Sequence, residues 1–200
     1  MRPAAGLAAV DDETVERYRS TYRDEEPLYA VEREAVETLP DAFREGDYGP
    51  RDAEWVVQWY FRRFLGAYPG AQRRRIEGEF EAADPADVRA AIAAACDAPD
   101  YEAALSALLD LSGVDVGVGS AFLLFVDPDR YQVVGEREWR VVADLTDLDS
   151  ESPDSLDVDD YGRFLDAARD LAARHDGLTQ WDLYTVLWRR WKDKYGPEVE

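Results

Sequence analysis

Apolar residues recur every three to four positions along almost the whole chain. That spacing predicts helices, and no convincing apolar–polar alternation competes with it. Val15, Tyr18 and Tyr22 form a first stripe, and Leu28, Val31, Val36, Leu39 and Phe43 a second. Pro27 separates them, and Pro40, inside the second pattern, is a point where that helix kinks or splits. Residues 45–50 read as a loop from their Gly and Pro content. The stretch 51–67 carries Trp55, Val56, Val57, Trp59, Tyr60, Phe61, Phe64 and Leu65. Apolar side chains nearly all round a helix mean burial on most sides, so this is the expected central helix. Arg73, Arg74 and Arg75 then open a helix with Ile76 and Phe80 inward. Asp84-Pro85 reads as an N-cap with proline at the first helical position, ahead of Val88, Ile92 and Cys96.

The most informative stretch is 108–139. An apolar helix ends at Leu111-Ser112-Gly113-Val114, a short turn contains Asp115, and Val116-Gly117-Val118-Gly119-Ser120-Ala121 leads into a second apolar run. Asp127-Pro128 ends that run, and a further helix starts at Glu136 with Trp139 and Val142 inward. The run at 118–125 fits a buried strand or a buried helix, and its small-residue start and Asp-Pro exit favour the helix. Residues 146–160 are rich in Asp and Ser and read as a mobile acidic loop. Tyr161, Phe164, Leu165, Ala168 and Leu171 mark an amphipathic helix stopped by Gly177. Thr179 caps the last one, lined by Trp181, Tyr184, Trp188 and Trp191.

These elements predict an all-α chain with one helical domain over 11–196 and a flexible N-terminus at 1–10. A length of 200 residues suits one well-buried core. No apolar run nears the ~20 residues of a membrane span, and no secretory leader is recognisable, so a cytoplasmic protein without membrane partners is expected. Lys+Arg number 23 against 44 Asp+Glu, a net charge of −21. Lys192 and Lys194 are the only lysines, and arginine on so acidic a surface points to a salt-loving cytoplasm. Such charge repels phosphates in dilute buffer, but the Debye length shrinks to ~3 Å at 1 M salt, so charge alone does not exclude DNA. Cys96 is the only cysteine and His175 the only histidine. Histidine-based zinc sites, thiolate clusters and Cys–His nucleophile pairs are therefore not expected, and neither a metal nor a cofactor is implied.

The glycine elbow carries the candidate chemistry. Open amides at a helix start hold a phosphate without any cation, and glycines let the backbone approach closely. Gly113, Val114, Val116, Gly117 and Gly119 are the candidate phosphate ligands, with Arg73, Arg74 and Arg75 as added positive charge. The competing reading is plain helix packing, with Asp115 capping the second helix from within. Taken in order, Leu111-Ser112-Gly113-Val114-Asp115, Gly119-Ser120-Ala121, Pro128-Asp129-Arg130-Tyr131-Gln132-Val133-Val134-Gly135 and Asp182-Leu183-Tyr184-Thr185-Val186-Leu187-Trp188 resemble phrases of all-helical proteins related to the helix-hairpin-helix (HhH-GPD) DNA glycosylases. The resemblance spans about 55–195. It implies a glycosylase-like helical fold, a helix-hairpin-helix element and DNA contact.

The resemblance also implies base excision, and here the chain departs from the pattern. The position matching the catalytic aspartate is Gly135, and the hairpin carries no lysine. Glu136 and Glu138 are the substitute candidates, and Trp55, Trp59 and Trp139 the candidates for lining a base pocket. Three functions follow as expectations: a DNA-associated, catalytically degenerate glycosylase-like protein; a non-enzymatic scaffold that binds a protein partner; and an active glycosylase using Glu136 or Glu138.

Overall fold

A computed structural model describes residues 10–64 and 66–196, which form ten helices and, among the described residues, no strand. They are α1 (Asp12–Glu25), α2 (Tyr29–Glu45), α3 (Pro50–Arg62), α4 (Gly70–Glu81), α5 (Pro85–Asp97), α6 (Tyr101–Leu109), α7 (Val116–Val126), α8 (Glu136–Ala143), α9 (Val158–Ala172) and α10 (Gln180–Tyr195). Most of the span expected to be a flexible N-terminus, residues 1–9, lies outside the described residues.

The centre is α7. Every residue from Val116 to Val126 is buried, because the helix is apolar on all sides and no charge forces a face outward. It packs against α2, α3, α5 and α6. Its small residues allow close neighbours: a Cβ on Gly119 would stand 2.6 Å from Leu105 Cδ1 of α6. α3, the helix expected at the centre, shares it. Ala53, Val56, Val57, Trp59 and Phe61 are almost fully buried, while Arg51 and Arg62 stay exposed. α3 ends at Arg62, and Phe64 lies in the turn beyond it.

A second layer is built around α10, which packs on α1, α8 and α9. Trp181 and Tyr184 stack with ring centroids 5.3 Å apart, and Tyr184 meets Trp59 edge-on at 5.6 Å, joining this layer to α3. Pro40 lies inside α2, which continues unbroken to Glu45. Proline removes one backbone bond and costs ~3 kcal/mol or more in a helix interior. Burial of Leu39 and Phe43 on either side, about 1.5–3 kcal/mol each, offsets it. α9 begins at Val158, so the acidic loop is shorter than the sequence suggests, and the Trp139 indole N–H donates to its Asp149 carbonyl at 2.8 Å.

Candidate functional site

α6, the turn 110–115 and α7 form a helical hairpin whose elbow faces α4. Gly113 adopts φ +77, and a Cβ there would lie 2.6 Å from the Ile76 carbonyl and 2.8 Å from the Phe80 amide. The elbow therefore seats directly on the backbone of α4, which covers Gly113. The Val114 N–H donates to the Leu111 carbonyl at 3.2 Å, and the Gly119 N–H to the Asp115 carbonyl at 2.7 Å. Asp115 is the N-cap of α7, and its Oδ1 accepts from the Val118 N–H at 2.9 Å. The amide of Gly113, under α4, donates to no backbone or side-chain acceptor among the described residues, and neither do those of Val116 and Gly117, the first two residues of the helix.

These two residues line a broad open cleft of about 1050 Å³. The start of α7 forms one wall and the start of α8, at Gly135 and Glu136, forms another. Tyr60, Tyr68 and Tyr195 supply aromatic surface, and residues 150–156 complete the rim. Its ionisable lining is Asp115, Glu136, Asp144, Glu151 and Asp154 against the single guanidinium of Arg140. Arg140 lies over the Tyr195 ring at 4.1 Å. Asp144 accepts from Lys194 at 2.8 Å and from the Tyr195 hydroxyl at 2.6 Å. Burial would raise the Asp144 carboxyl, and these two donors outweigh it and hold it below the usual range. The cleft is acidic, the polarity that phosphate avoids.

Beneath Gly135 lies a buried ion pair. Arg63 Nη1 meets Glu138 Oε1 at 2.6 Å, and both side chains are 1 % exposed. Arg63 also donates to the Tyr60 carbonyl at 3.1 Å, and its guanidinium lies over the Tyr60 and Phe64 rings. Burial works against the Arg63 charge, but the Glu138 carboxylate more than compensates and holds the guanidinium firmly protonated. A Cβ on Gly135 would stand 2.8 Å from Arg63 Nη2 and 2.9 Å from Glu138 Oε2. Neither of those two atoms has a hydrogen-bond partner. The pair thus occupies the space that a side chain at 135 would need. Glu138 is committed to Arg63, while Glu136, at the first position of α8, is exposed to the cleft.

The remaining candidates lie elsewhere. Arg73 and Arg75 bridge to Glu77 and Glu79 one turn along α4, at 3.5 and 2.7 Å, and Arg74 is exposed. All three sit inside α4, whose first residue is Gly70. Trp59 and Trp139 are core side chains at 2 % and 1 % exposure, and Trp55 is partly buried against Trp59 and Phe125. None of these tryptophans lines the cleft. The lone histidine pairs with Asp12 of α1 at 2.6 Å, and Cys96 is a half-buried free thiol. Among the described residues no cluster of His, Cys, Asp or Glu could hold a metal ion, and no helix is long and apolar enough to cross a membrane.

Arg63 is assigned no role from the sequence, and its burial emerges only in the fold. The signal was present, since Arg63 follows Trp59 by four residues and Tyr60 by three on the apolar face of α3. Tyr60 and Tyr68 carried no signal of a cleft, because their convergence on Gly117 and Gly135 spans elements far apart in sequence. Comparison with family models, with characterised proteins and with solved structures finds no match for this chain.

Proposed function

We propose that this chain is a non-enzymatic helical binding scaffold, built on a helix-hairpin-helix, glycosylase-like frame whose elbow serves packing. One observation carries the reading: the Asp115 carboxylate spends itself on the Val118 amide, so a negative charge stands where a phosphate would seat. The α4 backbone against Gly113 and the internal pairing of Arg73 and Arg75 support it. The lack of a carboxyl at Gly135 and the engagement of Glu138 with Arg63 argue against base excision. The acidic cleft offers a surface complementary to a cationic partner segment.

A second reading is association with DNA without catalysis. The Val116 and Gly117 amides favour it, because they remain unspent at the cleft wall. Binding of duplex and abasic DNA to the folded protein across a salt series separates the two. The scaffold reading expects no binding at any salt, and equally none for Asp115→Asn. Binding that falls with rising salt, and strengthens in Asp115→Asn, overturns it in favour of DNA.

A further inference from the structure

Glu32 is a buried carboxylate that the cleft does not use. It lies in the first turn of α2 at 1 % exposure. Its Oε2 accepts from the Tyr22 hydroxyl and its Oε1 from the Trp59 indole N–H, both at 2.7 Å. Both donors are neutral. The Tyr22 and Tyr184 oxygens stand 3.5 Å apart, which extends the chain of hydroxyls into α10. Beside them a small recess of about 10 Å³, partly open to the surface, is bordered by Glu32, Tyr22, Arg63 and Tyr184.

The charged and titratable groups around Glu32 come from α1, α3, α8 and α10. From α1 come Tyr22 and, at its C-cap, Glu26, whose carboxylate is held by Arg189 and Lys192 at 2.8 Å each. α3 supplies Trp59 and Arg63, α10 supplies Tyr184, and Arg63 is itself paired with Glu138 of α8. α7 carries no ionisable side chain. α5 meets the far end of α2, where Arg89 bonds the Gly46 and Tyr48 carbonyls.

The position of Glu32 ties it to α1. Val15 and Tyr18 of α1 form only a small satellite cluster with Val186, and Tyr22 is the α1 residue that enters the main core. Its hydroxyl ends on Glu32. We propose that Glu32 is a proton-binding site governing the docking of α1: the helix stays seated while Glu32 carries a proton, and detaches more readily once it is ionised.

With α1 seated, Tyr22 and Glu26 keep water from the carboxylate, and the charged form bears that cost. Lifting α1 removes both and restores hydration. A neutral Glu32 keeps the Trp59 N–H on one oxygen and donates from the other to the Tyr22 oxygen, whose own proton turns to Tyr184. Burial pushes the Glu32 carboxyl up to about 7, against the downward pull of the Trp59 and Tyr22 hydrogen bonds. Docking therefore takes up a proton. It is strongest below the ordinary carboxylate range and weakens as pH rises through about 7.

Native-state amide exchange of α1, corrected for intrinsic base catalysis, is the test. Between about pH 6 and about pH 8, protection in the wild type is expected to fall roughly tenfold further than in Glu32→Gln. A level wild-type profile, or the same fall in both proteins, overturns the proposal. Carbon-13 titration of the Glu32 side chain needs no variant: a midpoint near 7 supports the proposal, and one near 4.5 refutes it.

Discussion

Gly113 and Gly46 share one backbone conformation, with φ +77 and +73, but not one environment. A Cβ at Gly46 meets nothing within 4 Å, whereas at Gly113 it meets the α4 backbone at 2.6 Å. Gly46→Ala should therefore cost only the left-handed penalty of about 1 kcal/mol. Gly113→Ala adds a clash with atoms that cannot rotate away and should cost at least about 2 kcal/mol more in urea unfolding. Equal losses would mean that the elbow is not seated on α4. That both residues are turn glycines was legible from sequence. Which of them carries a packing constraint was not, because α4 and the elbow are some thirty positions apart.

At the scale of elements, capping was the most legible feature. Asp84 and Thr179 stand where the sequence places them, and each accepts from an amide of the first turn, Ala86 and Asp182 respectively. Asp115 belongs to the same class, and the alternative that it caps α7 from within describes its geometry. Asp115→Ala should destabilise the protein by about 1 kcal/mol, as cap removal does, and lower exchange protection chiefly in the first turn of α7. Unchanged stability would leave the carboxylate without a structural role and weaken the scaffold reading. Pro40 read as a kink or split point, yet α2 runs through it. Local propensity lost there to the burial of Leu39 and Phe43, a contribution that exists only when the rest of the fold is present.

For the whole molecule the dominant quantity is charge. At −21 the folded chain repels itself, and many of its ion pairs lie on the surface, where each contributes little. Raising KCl from about 0.1 M to about 2 M shrinks the Debye length from ~10 Å to below ~3 Å and should raise Tm by roughly 5–10 °C. A Tm that stays flat or falls would show that ion pairing, which salt also screens, outweighs the repulsion. The buried Arg63–Glu138 pair, at 1 % exposure, is shielded from that screening.

The helical class, most helix starts and stops, the burial of α7 and the absence of an acid at position 135 are all legible in the chain's residue order. Those properties are local, since periodicity, capping and composition act within a few residues. The tertiary structure alone decided that α4 covers the elbow, that Arg63 and Glu138 fill the space behind Gly135, and that Glu32 meets Tyr22 and Trp59 away from water. Each of these joins side chains from different helices, and their energies come from desolvation and close contact, which exist only once the helices have packed.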